Sequence, residues 1–282
     1  MNPASSAING ETALFGIIGN PVHHTLSPAM HNAAFAALGM NCVYVPLPTA
    51  GLAEAVAGLK ALGFQGVSVT IPFKEEVIPL VDVLDPVAEK IGAVNTLKID
   101  IKENLADRVI FGANTDWVGA NRALEEKMRL CGSRVLLVGA GGAARAIGFG
   151  LLEAGANVLL TNRTREKGIE LARQLGCKFI DTAALPGIKA DALVNATSVG
   201  MVPAVERTPV PAELLGNYPV VMDIVYAPLQ TRLLREAGEA GCEVIDGLAM
   251  LLYQGAAQFE LWTGRDAPLE VMRAVLAERF GG

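Results

Sequence analysis

The sequence predicts two α/β domains, an N-terminal one on a mostly parallel sheet and a second of doubly wound, Rossmann-like design. Three observations predict it. The chain has 282 residues, and domains commonly run to roughly 100–200 residues each. Short β-like runs alternate with longer helical ones, the order that lays helices on the faces of a parallel sheet. A glycine-rich turn, Gly139-Ala-Gly-Gly-Ala-Ala144, stands between an apolar strand and a helix.

The elements follow in order. Residues 13–18 read as a strand, and a loop with Pro21 follows. Residues 28–38 read as a helix with Pro28 in its first turn and Gly39 ending it. A strand is expected at 42–45, a helix at 52–62 and a strand at 66–71 closed by Pro72. A second α/β series begins near Trp117, with a helix over 120–130 and a buried-type strand at 134–138. Further strands are expected at 157–161, 192–195 and 220–225, then a helix from Gly247 through Gln258 and a last one over 271–279. The first domain is expected over residues 1–116, completed by helices within 248–282, and the second over 117–247.

Composition narrows the function. Hydrophobic residues are 51% of the chain and charged residues 18%, enough apolar surface for packed cores and against wholesale disorder. The net charge of −6 gives no electrostatic reason to expect nucleic acid. Charged, Gly and Pro residues break every apolar run before the roughly 18 residues a membrane helix needs. The polar stretch from Met1 to Gly10 lacks the basic flank and apolar core of an export signal. Cys42, Cys131, Cys177 and Cys242 lie far apart, so free thiols in a reducing, cytoplasmic setting are expected rather than disulfides or zinc. His23, His24 and His31 cluster in sequence without an accompanying acid or cysteine, and no metal site is expected.

The 139–144 turn follows a strand and opens a helix, the context that a Gly-x-Gly-x-x-Ala dinucleotide fingerprint requires. Gly139 permits a tight turn, and Gly141 lets backbone N–H groups approach a pyrophosphate. Ala144 allows the helix to pack closely on the strand. An NAD site would carry an acid at the end of the next strand, but here Asn162-Arg163-Thr164 stands, with Lys167 close behind. Arginine can hold a 2′-phosphate through two parallel hydrogen bonds, so NADP is the expected cofactor.

Lys74 ends a strand-to-turn segment, Ser68-Val-Thr-Ile-Pro-Phe-Lys74, and Asp116 ends Gly112-Ala-Asn-Thr-Asp116 where the chain enters the second domain. A lysine and an aspartate brought together can move a proton to or from an alcohol oxygen during hydride transfer. Each alone also has a plain reading, as a solvated lysine and as a helix cap.

Gly19-Asn-Pro-Val-His-His-Thr-Leu-Ser-Pro28, Val69-Thr-Ile-Pro-Phe-Lys74, Gly92-Ala-Val-Asn-Thr96 and Asn114-Thr-Asp116 together resemble the shikimate dehydrogenases. So do Asn195-Ala-Thr-Ser-Val-Gly-Met201, Asp223-Ile-Val-Tyr226 and Gly247-Leu-Ala-Met-Leu-Leu-Tyr-Gln-Gly255, in the family's order and over nearly the whole chain. The resemblance implies reversible NADPH-dependent reduction of 3-dehydroshikimate to shikimate, by a monomer or homodimer. It implies a catalytic pair at Lys74 and Asp116. Thr25 and Ser27, helped by Tyr226, would hold the substrate carboxylate, and Thr70, Asn95, Asp116 and Gln254 the ring hydroxyls. Cofactor contacts are implied at Gly139, Gly141, Gly142, Ala143, Asn162, Arg163, Thr164, Lys167, Thr197 and Gly247. Independently, no charged residue occurs between Glu11 and Glu54, so a carboxylate held by that segment meets only hydroxyls and backbone amides.

Two positions depart from the family pattern. Thr25 stands where Ser is usual, and Ser68 stands where Asn is frequent. Both bear on the choice between shikimate and quinate, and an enzyme acting on quinate or an aminated shikimate remains an alternative. A non-catalytic ligand sensor would have lost Lys74 or Asp116, and both are present. Gln254 and Gln258 lie four apart on an otherwise apolar helix, so they share one face.

Overall fold

The computed structural model describes residues 8–101 and 107–280. The first seven positions of the polar N-terminal stretch lie outside the described residues. The chain divides into two compact units, Met1–Thr115 with Gln254–Gly282, and Asp116–Tyr253.

The first unit holds β1 (Ala13–Gly19), α1 (Ser27–Ala37), β2 (Cys42–Pro48), α2 (Leu52–Leu62), β3 (Phe64–Val69), β4 (Val83–Leu84), α3 (Pro86–Ile91), β5 (Thr96–Ile101) and β6 (Arg108–Ala113). Its sheet runs β2-β1-β3-β5-β6-β4. β1 pairs parallel with β2 and β3, and β4 parallel with β6. The β5–β6 hairpin is antiparallel and lies between them. This hairpin departs from the expected run of strands and helices. Its signal is the alternation of buried Leu97 and Ile99 with Lys98 and Asp100, a period of two. The strand expected at 66–71 ends at Val69, because Pro72 has no N–H for the ladder and restricts Ile71 before it.

Side chains alternate across β1. Ile18 packs with Val67, Val69, Leu97 and the α2 residues Leu52, Val56 and Leu59. Phe15 turns to the other face and meets Phe35 of α1 and Trp262, with ring centroids 4.9 and 5.6 Å away. Gly66 is required on that face, since a Cβ there would sit 2.6 Å from the Trp262 ring.

The second unit starts with α4 (Asp116–Glu125), four residues earlier than expected, with the Asp116 carboxylate in the first turn where the helix dipole favours it. β7 (Arg134–Val138), α5 (Gly142–Glu153), β8 (Asn157–Thr161), α6 (Arg165–Leu175), β9 (Lys178–Phe179), β10 (Ala192–Asn195), β11 (Val220–Asp223), α7 (Arg232–Glu239) and β12 (Glu243–Ile245) follow. α8 (Gly247–Thr263) begins in this unit and ends in the first, and α9 (Leu269–Glu278) packs on α1. The sheet order β12-β11-β10-β7-β8-β9 is parallel throughout. Strand order therefore reverses between β7 and β10, the switch point of a doubly wound sheet, where ligands bind beyond the strand ends. No helix among the described residues is long and apolar enough to cross a membrane.

Candidate functional site

In the first unit, three loops are laced together at the ends of β1, β3 and β6. Thr70 N–H donates to the Ile18 carbonyl at 3.0 Å and Asn20 N–H to the Ile71 carbonyl at 2.9 Å. Gly19 lies so close to Thr70 that a Cβ would meet the threonine methyl at 2.4 Å. Val69 N–H donates to the Asn95 carbonyl at 2.8 Å, and Val94 N–H to the Lys74 carbonyl at 2.7 Å. Asn95 N–H in turn donates to the Ala113 carbonyl at 3.1 Å. Backbone bonds thus hold Thr70, Lys74 and Asn95 at one edge of the sheet.

Thr25 and Ser27 stand at the start of α1. Thr25 Oγ1 lies 3.2 Å from Ser27 Oγ and accepts from Ser27 N–H at 3.3 Å. The first turn of α1 contains no acid. Two hydroxyls beside the open N–H groups of a helix start form a place for a carboxylate.

Asn95 is 2% exposed. Its Oδ1 accepts from Thr96 Oγ1 at 2.6 Å and from Thr115 N–H at 2.8 Å. Its Nδ2 faces Thr115 Oγ1 at 3.0 Å and Gln254 Oε1 at 3.5 Å. Gln258, one turn along α8, reaches the same residue by its Nε2. Of the residues expected to bind substrate, Thr25, Ser27, Thr70, Asn95 and Gln254 fall in this unit with Lys74. Asp116 follows Thr115 directly as the first residue of α4, and it and Tyr226 belong to the second unit.

His31 is buried and stacked on Tyr44, ring centroids 4.6 Å apart, and burial pushes its pKa down to about 3, so the ring is neutral. His23 and His24 are exposed on the loop before α1. Among the described residues no group of three or more His, Cys, Asp or Glu could hold a metal.

In the second unit, β7 leads through Gly139 and Gly141 into α5. Gly139 has φ +129°, and a Cβ there would sit 2.9 Å from the Ala196 carbonyl oxygen. Gly141 caps α5, and a Cβ built on it would have no neighbour within 4 Å, so the backbone before Gly142 and Ala143 is open to an incoming group. That bare helix start, without an acid in its first turn, suits a pyrophosphate. At the end of β8, Asn162 Nδ2 donates to the Thr164 carbonyl at 2.7 Å and shapes the turn. Arg163 and Lys167 are exposed and make no ion pair among the described residues, whereas Arg165 is drawn 3.2 Å to Asp181. The residues present therefore fit a dinucleotide with an anionic group at its adenosine end.

The opposite wall of this cradle is built on β10 and β11. Thr197 donates to Asn195 Oδ1 from its N–H at 3.1 Å and its hydroxyl at 2.7 Å. Asp223, fully buried, accepts from Asn195 Nδ2, Val225 N–H and Thr231 Oγ1. Burial pushes its pKa up to about 6, against the lowering effect of those hydrogen bonds. Gly247 starts α8 where a Cβ would be 2.6 Å from the Ile224 carbonyl oxygen.

Sequence reasoning passed over Tyr44, Thr96, Thr115 and Gln258 as parts of the site. Only Gln258 left a signal, its spacing of four from Gln254 on an apolar helix.

Comparison with known proteins identifies the family. Residues 17–97 match the family model "Shikimate dehydrogenase substrate binding domain". Residues 121–210 match "Shikimate / quinate 5-dehydrogenase", and 247–277 match "Shikimate 5'-dehydrogenase C-terminal domain". The chain is 48% identical to the NADP(+) shikimate dehydrogenase of Moorella thermoacetica, over 97% of this chain and 96% of that one. It is 50% identical to its counterpart from Pyrococcus furiosus, over 95% and 96% of the two chains. The crystal structure of Thermus thermophilus shikimate 5-dehydrogenase with NADP(H) and shikimate superposes with a TM-score of 0.85 at 38% identity, covering 94% of this chain and 99% of that one.

Proposed function

This chain belongs to the shikimate dehydrogenase family, and from that premise we propose that it reversibly reduces 3-dehydroshikimate to shikimate with NADPH. When bound, NADPH supplies the hydride for the carbonyl carbon. In this reading Lys74 stabilises the oxygen that gains charge and delivers the proton that makes it a hydroxyl, and Asp116 orients the lysine and shares the proton path. Thr25, Ser27 and Tyr226 hold the substrate carboxylate. Thr70, Asn95 and Gln254 bind the ring hydroxyls, which need fixed donors and acceptors. Residues 1–116 with the helices of 248–282 act as the substrate domain, and 117–247 as the NADP domain.

The cofactor residues in this reading are Gly139, Gly141, Gly142 and Ala143 at the α5 start and Asn162, Arg163, Thr164 and Lys167 after β8. Thr197 and Gly247 complete the set. The observation that carries the proposal is the lacing of the Thr70, Lys74 and Asn95 loops in the same unit as the two α1 hydroxyls, Thr25 and Ser27, which lie in a stretch without charged residues between Glu11 and Glu54. A cytoplasmic location is part of the proposal, supported by free thiols at all four cysteines, and so is a monomeric or homodimeric state. The test is absorbance at the nicotinamide band with purified protein, shikimate and NADP. Steady reduction of NADP is the expected result, and no change with either shikimate or quinate would overturn the reading.

A further inference from the structure

A buried file of hydrogen bonds ends on Asn95, and its direction can be read from the groups themselves. Gln258 is 1% exposed. Its Nε2 donates to the Asn95 carbonyl and to Thr96 Oγ1, each at 3.0 Å. Its Oε1 accepts from Ser68 Oγ at 2.8 Å, and Ser68 Oγ accepts from the Tyr44 hydroxyl at 2.7 Å. An amide nitrogen only donates, and a hydroxyl has one proton to give. Since Thr96 Oγ1 receives a proton from Gln258, its own proton goes to Asn95 Oδ1, 2.6 Å away. Thr115 N–H, which can only donate, points at the same oxygen. The file runs Tyr44, Ser68, Gln258, Thr96, Asn95, and every member gives its proton forward.

The consequence lies at the last member. With Oδ1 held by two donors, the Asn95 amide cannot turn over without setting its NH2 against Thr115 N–H. Its Nδ2 is thereby committed as the donor, to Thr115 Oγ1 at 3.0 Å and on the side of Gln254 Oε1 at 3.5 Å.

We propose that Gln258 is a positioning residue for substrate recognition: through Thr96 it locks the Asn95 amide with its NH2 toward the substrate. The proposal rests on the reading of Asn95 as a substrate contact. Gln258 itself touches no substrate in that reading, because Ser68, Thr96 and the Asn95 carbonyl occupy its amide.

The arrangement suggests its own rescue. Ser68 and Thr96 are direct partners across β3 and β5, so their side chains stand roughly 5 Å apart on one face. An Asn at 68 could donate to Thr96 from the strand if the Gln258 side chain were cut back to make room. The variants are therefore Gln258→Met, which keeps volume and removes the amide, and Ser68→Asn/Gln258→Ala, which moves the amide to the strand.

The measurements are the shikimate Kd by calorimetry and the KM values for shikimate and NADP, with folding checked by thermal melts. Gln258→Met should raise the shikimate Kd and KM by about 10-fold, the loss expected when one neutral hydrogen bond is misdirected, and leave the NADP KM unchanged. The double variant should return the shikimate values to within about 3-fold of wild type, at the same scale of uncertainty. Wild-type shikimate binding in folded Gln258→Met, or equal damage to both substrates, would overturn the proposal. If Gln258→Met does not fold, the double variant decides: near-wild-type shikimate binding supports the proposal, and loss in a folded double variant overturns it. Inactivity of the wild type with shikimate would instead strike the proposed function.

Discussion

Asn195 Nδ2 donates to Asp223 Oδ1 at 2.9 Å, which ties the ends of β10 and β11 through a buried carboxylate. The same asparagine receives the N–H and hydroxyl of Thr197, so the loop that follows β10 is fixed by Asp223 at one remove. A buried carboxylate so placed ties the stability of these strand ends to pH.

The folded pKa of Asp223 is about 6, raised from the ordinary carboxylate value near 4. Between those values the folded state binds more protons than the unfolded one, so this group's contribution is present at acid pH and is lost as pH rises through about 6. At about 1.4 kcal/mol per pH unit it amounts to about 3 kcal/mol. Asp223→Asn should flatten that dependence. Urea midpoints of wild type and variant at pH 5 and pH 8 measure it, and parallel shifts in the two proteins would remove Asp223 as the source.

Lys74→Ala should fold and lose turnover by roughly 10²–10⁴-fold, the usual contribution of a positioned acid or base, with the NADP KM little changed. Asp116→Asn should be slowed severely as well. With the two acting as the proposed pair, the double variant should be far less than multiplicatively worse. Steady-state rates of the four proteins test this, and fully multiplicative losses would argue for independent roles.

Arg163→Ala should raise the NADP KM by roughly 10–150-fold, since a charge-assisted hydrogen bond contributes about 1.5–3 kcal/mol. The weak use of NAD should be nearly unchanged, because NAD has no 2′-phosphate. Arg165→Ala serves as the internal control: its guanidinium is engaged by Asp181, and its loss should leave the NADP KM nearly unchanged. Equal effects from the two arginines would contradict the assignment.

Shikimate should be preferred over quinate. With Thr25 at the carboxylate as proposed, its methyl narrows that region, and an unpaired or crowded extra hydroxyl costs about 1–3 kcal/mol, or roughly 5–200-fold. The ratio of kcat/KM for the two substrates is the measurement. Comparable values would show that Thr25 leaves room for the hydroxyl, and Thr25→Ser should then change little.

Strong apolar runs made much of the fold legible. α2, β7, β8 and β10 begin and end where the sequence pattern puts them, because each is a single run with Gly or polar residues at its edges. The β5–β6 hairpin was hidden because Lys98, Asp100 and Arg108 interrupt the apolar residues, and only a period of two relates them. α6 was hidden for a similar reason: its sequence is mostly charged, and only Gly168, Leu171 and Ala172 face inward. At the site, the proposed residues are those that lie within short motifs. Gln258 left only its spacing of four from Gln254, because its bonds to Ser68, Asn95 and Thr96 join positions that no local pattern connects.

Ser68 and Gln258 are 190 positions apart in the chain, and the unit they share is interrupted by the whole of Asp116–Tyr253. Order of synthesis therefore treats the two units differently. The second is one uninterrupted stretch and can close as soon as it leaves the ribosome, whereas the sheet of the first waits for α8 and α9 to cover one of its faces. During that wait Phe15, His31 and Tyr44 lack the ring of Trp262, and Ser68 and the Asn95 carbonyl lack the Gln258 amide. A chain halted at Tyr253 would hold every strand of the second unit's sheet, while the first unit's sheet would still lack the α8 and α9 residues that cover one face.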